Sequence, residues 1–230
     1  MNDRDRATAR RVRARLEGGA RDAASLRAAL GALAPLDRDA WLDLALGSGS
    51  PPDDGPELPR GCVPYLPCPV DTLVRAIDAA AIGPADVFVD VGAGVGRAAA
   101  VVNLLTGAEV VGVEVQPALV AAARALAARL RLARVSFIEG DAADLPPPAR
   151  AGSVFFLYCP FSGERLTRLL GHLEALARTR EVRVCCVDLP LPSRPWLEPL
   201  LRAARDLQVF RSQDLSVARL RIVRRRLGSR

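Results

Sequence analysis

Short apolar segments alternate with longer amphipathic ones from residue 86 onward. The apolar runs predict strands at residues 86–91, 109–115, 134–139, 153–158 and 181–188. Apolar residues at three- and four-residue spacings predict helices between them, at 97–106, 117–132 and 162–177. Residues 207–211 and 216–223 predict two further strands joined by a short loop. This alternation predicts an α/β fold, with a doubly wound, Rossmann-like, seven-stranded and mostly parallel sheet closed by an antiparallel hairpin.

The first 60 residues follow a different pattern. Helical spacing of apolar residues recurs at 10–16, 26–33 and 41–46, and residues 47–60 contain almost no apolar side chains. We therefore predict an N-terminal helical extension and linker over residues 1–60, and the main domain over residues 61–230. Residues 61–69 are too rich in proline for a helix or a central strand, and a helix is predicted over 70–81.

Composition and charge narrow the class of protein. The chain has 230 residues, of which half are hydrophobic and 25% are charged, as expected for a soluble globular protein. Its net charge is +6, and every basic residue is an arginine. Together with frequent Ala, Leu, Pro and Gly, this usage is typical of a GC-rich genome. A solvated basic surface is thus a simpler explanation of the charge than a nucleic-acid partner.

The cysteines give no sign of a metal site. The chain has five cysteines and one histidine, and no two cysteines have the C-x-x-C spacing. We therefore predict neither a zinc site nor a disulfide framework. An odd number of cysteines, with no apolar export segment and no apolar run of membrane-spanning length, favours reduced thiols in the cytoplasm. The oligomeric state is left open by the sequence.

A glycine-rich loop follows the first predicted strand of the alternating region. It is flanked by a strand and a helix, which is the setting of a nucleotide-binding loop. The third glycine comes one residue too early for the dinucleotide pattern G-x-G-x-x-G. An aspartate two positions before the first glycine suits the ammonium of a methionine moiety and would be unfavourable beside a pyrophosphate. The loop therefore favours S-adenosylmethionine over NAD, with the candidate cofactor-binding residues Asp90, Gly92, Ala93, Gly94 and Gly96.

Acidic residues also end the next two strands. Glu114 lies 18 positions after Gly96, close to the spacing of about 20 expected for an acid that accepts from ribose hydroxyls. Asp141 follows the third strand and can accept from the adenine amino group, with the adjacent Ala142 offering a backbone amide. The carboxyl ends of parallel strands meet at one edge of a sheet, so these acids are predicted to surround one cofactor.

These residues resemble the class I S-adenosylmethionine-dependent methyltransferases, over roughly the last two thirds of the chain. The loop sequence, preceded by Tyr65-Leu66-Pro67-Cys68, is also similar to small Dot1-like and related protein-lysine methyltransferases. That narrower resemblance implies that the segment containing Tyr65 folds over the cofactor. Membership of the broader methyltransferase class would imply direct transfer of a methyl group, in which the protein aligns the reactants and excludes water.

The acceptor end of the site is predicted after the fourth strand, at Tyr158-Cys159-Pro160-Phe161. Many amino-methyltransferases have an Asn or Asp there, and Cys159 is a poor replacement for that acceptor. Methylation of a base amine is therefore disfavoured, and a protein amine or a small molecule is favoured. Tyr158 and Phe161 are the candidate catalytic residues that shape the slot, with Tyr158 also contacting the cofactor. Ordinary core packing is the alternative role for both.

Two alternatives to a methyltransferase stay open at this point. One is an NAD(P)-binding Rossmann oxidoreductase, which uses the same sheet but would need the glycine spacing that is missing here. The other is a non-catalytic module that binds the cofactor. The methyl acceptor, the use of a general base and a substrate-binding role of the N-terminal helices are not decided by the sequence.

Overall fold

The computed structural model describes residues 1–55, 58–203 and 206–213. Its centre is one seven-stranded sheet with the order β3-β2-β1-β4-β5-β7-β6. The first five strands are parallel, β7 is antiparallel to β5, and β6 is antiparallel to β7. The predicted α/β fold is therefore confirmed. The strands are β1 Val87–Val91, β2 Glu109–Glu114, β3 Val135–Glu139, β4 Val154–Tyr158, β5 Arg183–Val187, β6 Leu197–Ala203 and β7 Leu207–Ser212.

Helices cover both faces of the sheet, as continuous apolar strands require. Phe88 on β1 and Phe156 on β4 are both buried, with ring centroids 5.7 Å apart. Predicted helices and strands before residue 190 agree with the structure to within a few residues at their ends, except that the first helix begins at Asp3, seven residues before the predicted start. The helices are α1 Asp3–Glu17, α2 Ala23–Gly31, α3 Arg38–Leu46, α4 Val70–Ala79, α5 Arg97–Thr106, α6 Pro117–Arg129 and α7 Gly163–Ala177.

The antiparallel hairpin of the described chain joins β6 to β7, and β6 was not predicted. The strand predicted at 207–211 is present as β7, whereas the strand predicted at 216–223 lies outside the described residues. The strand Leu197–Ala203 was not predicted because it contains a proline. Pro199 is tolerated because β6 is the edge strand, and the register shifts between Pro199 and Leu201.

The N-terminal helices pack onto the sheet domain. Trp41 and Leu42 of α3 are fully buried in the same hydrophobic cluster as Leu73 of α4 and Phe88 of β1. The division of the chain at residue 60 stays a prediction, but α3 and the sheet share one core. None of the helices in the described ranges has both the length and the apolar character needed to cross a bilayer.

Close packing of β2 against the glycine loop gives a stability prediction. A methyl group on Gly112 would lie 2.5 Å from the Phe137 ring and 2.8 Å from the Ala93 side chain. We expect Gly112→Ala to lower the free energy of unfolding by about 1–3 kcal/mol through overpacking. Gly171→Ala, in α7 where the added methyl meets no described atom within 4 Å, is expected to raise it by about 0.5–1 kcal/mol. Urea unfolding of both variants checks this, and equal stability of the Gly112 variant and the unmodified protein would contradict it.

Candidate active site

A cleft opens at the carboxyl ends of β1, β2 and β4, where ligands bind in open parallel sheets. Seven of the predicted site residues line it together, namely Tyr65, Gly92, Glu114, Asp141, Ala142, Tyr158 and Phe161. The other four predicted residues, Asp90, Ala93, Gly94 and Gly96, belong to the end of β1 and the loop after it but are not among the residues that line the cleft. Most of the residues predicted from the sequence therefore lie together in one region of the folded protein.

The glycine loop needs its glycines for two reasons. Gly92, Gly94 and Gly96 all have positive φ angles, of 79°, 54° and 77°, which other residues adopt only with strain. In addition, the ring of Tyr65 packs directly over Gly94, so that any side chain there would collide with it. The loop thus brings its backbone against the segment that covers the cleft.

Glu114 holds this loop in place. Its side chain is buried, and its Oε2 accepts a hydrogen bond of 2.9 Å from the Gly94 amide. Its Oε1 accepts from the amides of Val115 and Gln116, at 2.8 and 2.9 Å. A carboxylate oxygen can accept two hydrogen bonds, so Oε2 keeps one acceptor position. Glu114 can therefore fix the loop and still accept from a ligand hydroxyl.

Asp90 is a buried acid next to this network. It is only 4% exposed, and its Oδ2 atom has no hydrogen-bond partner in the described part of the chain. Burial and, to a lesser extent, the nearby Glu114 carboxylate raise the pKa of Asp90 to about 8, against a smaller opposing effect of the Ala99 amide. Asp90 is thus an unsatisfied group whose negative form a bound cation would stabilise.

Asp141 is held by two arginines. Its Oδ1 accepts from the Ala143 amide at 2.9 Å. Its Oδ2 accepts from Arg165 at 2.5 Å and from Arg168 at 3.2 Å. Both arginines are on α7, so the acid after β3 is tied to the helix after β4. Oδ1 retains one acceptor position beside the cleft.

Residues 60–68, here called the strap, cross the mouth of the cleft. Cys62 forms an antiparallel bridge with Phe161, and the Val63 amide donates to the Pro160 carbonyl at 3.1 Å. Farther along, the Tyr65 amide donates to Asp54 at 3.0 Å. Burial raises the pKa of the Tyr65 phenol to about 12, so it stays neutral. Residues 62–66 of the strap line the cleft.

Arg97 is a site residue that the sequence analysis missed. It is 5% exposed and donates to Asp43 at 2.6 Å, to Asp39 at 2.7 Å and to the Cys68 carbonyl at 2.6 Å. Burial lowers the pKa of Arg97, but Asp43 and Asp39 outweigh that effect and the net shift is upward. The guanidinium thus joins the glycine loop to α3 and to the end of the strap. The sequence did contain a signal for this role, because Arg97 occupies the position where a dinucleotide-binding loop has its third glycine.

The acceptor end of the cleft lies where β4 and β5 end side by side. Tyr158 pairs with Val187, and the next residues, Cys159 and Asp188, both have positive φ angles, of 33° and 49°. Phe161 is 4% exposed and packs in the core while lining the cleft. Burial raises the pKa of Cys159, which disfavours the thiolate that a nucleophile needs.

The described residues contain no group of three or more His, Cys, Asp or Glu side chains that could hold a metal ion. The two carboxylates that line the cleft, Glu114 and Asp141, instead lie singly at the ends of different strands. This arrangement suits separate hydrogen bonds to an organic ligand.

Comparison with known proteins identifies a similar domain. Residues 88–179 match a family described as "Methyltransferase domain". That span is similar to methyltransferase domains. It includes the glycine loop, Glu114 and Asp141, so the predicted class agrees with the match. No curated protein matches the sequence.

Several solved structures are similar to parts of this chain. The putative methyltransferase yhhF from Escherichia coli is 17% identical, with 68% of this chain and 90% of that chain covered and a TM-score of 0.51. An RNA methyltransferase from Salinibacter ruber, in complex with S-adenosyl-L-homocysteine, is 26% identical over 64% of this chain and 92% of that chain, with a TM-score of 0.48. A SAM-dependent methyltransferase from Geobacter sulfurreducens, also in complex with S-adenosyl-L-homocysteine, is 24% identical over 50% of this chain and 47% of that chain, with a TM-score of 0.40.

The raised pKa of Asp90 gives a pH-dependent stability. Its pKa is about 8 in the folded chain and about 3.9 when unfolded, so between these values the folded state holds the proton more tightly. Asp90 therefore stabilises the fold most at low pH, and the effect is lost as pH rises through 8. We expect the stability of the protein relative to Asp90→Asn to fall by up to about 1.4 kcal/mol per pH unit between pH 5 and 8. Urea unfolding of both proteins across this range measures it, and a constant difference would contradict it.

Proposed function

We propose that this chain is an S-adenosylmethionine-dependent methyltransferase. The observation that carries the proposal is that Glu114 and Asp141 line one cleft and each keeps an acceptor position there. Gly92 of the glycine loop, whose backbone is left-handed, lines the same cleft as both acids. The match of residues 88–179 to methyltransferase domains supports the same class.

The residues present fit this cofactor at each of its parts. Glu114 Oε2 is suited to a ribose hydroxyl, and Asp141 Oδ1 to the adenine amino group, with the amide of Ala142 beside it. Asp90 is suited to the methionine ammonium, because its buried Oδ2 lacks a partner and a cation would stabilise its ionised form. The glycine loop lets the backbone approach the ligand closely.

The protein's own contribution is alignment and exclusion of water. S-adenosylmethionine supplies a methyl group that is already activated by the positive charge on sulfur. Tyr65, Pro160 and Phe161 cover the cleft with carbon surface, which keeps water from the reacting atoms. Tyr158, at the end of β4, is placed to orient the acceptor. Positioning of this kind can supply a large part of the rate enhancement without a strong base.

For the acceptor we propose an amine, on a protein or a small molecule. Asp188 is close enough to Tyr158 to act on its phenol electrostatically. A carboxylate at this end favours the approach of a cationic amine and repels phosphates. The bound ammonium then loses a proton to solvent, which frees the nitrogen lone pair that attacks the methyl group, and S-adenosylhomocysteine leaves. The likeness of the loop and strap to small Dot1-like methyltransferases points the same way. The RNA methyltransferase activity named for the Salinibacter ruber protein is said of that protein alone.

Labelled methyl transfer tests both parts of the proposal. The full chain is incubated with methyl-labelled S-adenosylmethionine and a cell lysate, which is then separated into protein, nucleic acid and small molecules. We expect label in protein or in small amines. Label in nucleic acid would overturn the acceptor class, and absence of transfer to every fraction by a folded protein that binds the cofactor would favour a non-catalytic module.

Two variants separate the two ends of the site. Asp188→Asn is expected to lower kcat/KM for the amine acceptor by about tenfold, because a charge facing the cation is lost. The KM for S-adenosylmethionine should stay unchanged. Glu114→Gln should show the opposite pattern, in which the KM for S-adenosylmethionine rises. If Asp188→Asn leaves acceptor kinetics unchanged, the amine assignment fails.

A further inference from the structure

Arg165, near the start of α7, makes contacts in two directions. Its Nη1 donates to Asp141 Oδ2 at 2.5 Å, and its Nε donates to the Arg60 carbonyl at 3.1 Å. The side chains of Arg165 and Asp141 are 22% and 23% exposed, so the pair is shielded from much of the solvent. One planar guanidinium therefore joins an acid of the cleft to the first residue of the strap.

The contact with Asp141 sets which oxygen can accept from a ligand. Arg165 and Arg168 both donate to Oδ2, which leaves it without a further acceptor position. The Ala143 amide takes one position on Oδ1. The single acceptor position that remains is therefore on Oδ1. A guanidinium held at two points fixes this orientation better than a freely rotating carboxylate could.

The contact with Arg60 sets where the strap begins. Immediately after Arg60, the Gly61 carbonyl accepts from the Ser162 amide at 3.0 Å, and Cys62 bridges to Phe161. Ser162 precedes α7 directly, so Arg165 lies one turn from this junction. The strap start, the acid after β3 and the start of α7 are thus connected through one side chain.

We propose that Arg165 is a positioning residue for the cofactor. It orients Asp141 so that Oδ1 accepts from the 6-amino group of the adenine, and it holds the strap over that end of the cleft. This inference rests on the proposed function, since it concerns the same site. Arg165 would thereby make the site selective for a purine that carries a 6-amino group.

The test compares two ligands on the full chain. Calorimetry measures the affinity for S-adenosyl-L-homocysteine and for an analogue with hydrogen in place of the 6-amino group. The unmodified protein should favour S-adenosyl-L-homocysteine. In Arg165→Gln this preference should fall by about tenfold, because the acceptor is no longer oriented. Arg165→Lys keeps the charge but not the planar guanidinium. Its preference for S-adenosyl-L-homocysteine should lie between those of the unmodified protein and Arg165→Gln.

Two arginines provide matched controls. Arg168→Gln also removes a contact with Asp141 but none with the strap, so the ligand preference should fall less than in Arg165→Gln. Arg178→Gln, at the end of the same helix and paired only with Glu174 among the described ion pairs, should bind both ligands as the unmodified protein does. Thermal unfolding confirms that each variant is folded.

The outcomes separate this inference from the proposed function. If the unmodified protein binds neither ligand, the proposed cofactor is wrong. If it binds S-adenosyl-L-homocysteine and Arg165→Gln keeps the full preference for the 6-amino group, the role of Arg165 is wrong. Equal loss of affinity for both ligands would also overturn it, because a merely structural residue would weaken both alike.

Discussion

The Glu114 carboxylate joins the glycine loop after β1 to the end of β2 through hydrogen bonds from Gly94, Val115 and Gln116. A buried carboxylate is costly unless such donors surround it. Because all three donors are backbone amides, the shape of the loop and the position of the acid are set together. Burial raises the pKa of Asp90, and the same negative charge nearby raises it as well. The remaining acceptor position on Glu114 and the protonated state of Asp90 thus follow from one arrangement.

Two arginines extend that arrangement to the cover of the cleft. Arg97 binds the Cys68 carbonyl at one end of the strap, and Arg165 binds the Arg60 carbonyl at the other. Each also binds carboxylates, so that neither charge is buried without a partner. A planar guanidinium can donate in several fixed directions, which an ammonium does less well. In a chain without lysine, arginine therefore supplies both the surface charge and the internal connections between segments.

The main sheet and the loop could be predicted from the sequence because both depend on local pattern. Continuous apolar runs mark buried parallel strands, and glycines mark positions with positive φ. The edge strand β6 could not, because Pro199 is acceptable there only at an edge, and sequence spacing does not reveal which strand is at the edge. The roles of Arg97 and Arg165 were also missed, since their partners lie 29 to 58 and 24 to 105 positions away, respectively. The acids at the strand ends were found because the topology alone brings them together.

The claim that this cleft binds S-adenosylmethionine through a proton-bearing Asp90 is tested most directly by calorimetric titration with S-adenosyl-L-homocysteine at pH 7. The ammonium of S-adenosyl-L-homocysteine should favour ionised Asp90, so binding should release a proton. The measured heat should therefore change with the ionisation enthalpy of the buffer. NADH should produce no saturable heat. Saturable binding of NADH, with no binding of S-adenosyl-L-homocysteine by the folded protein, would contradict the account.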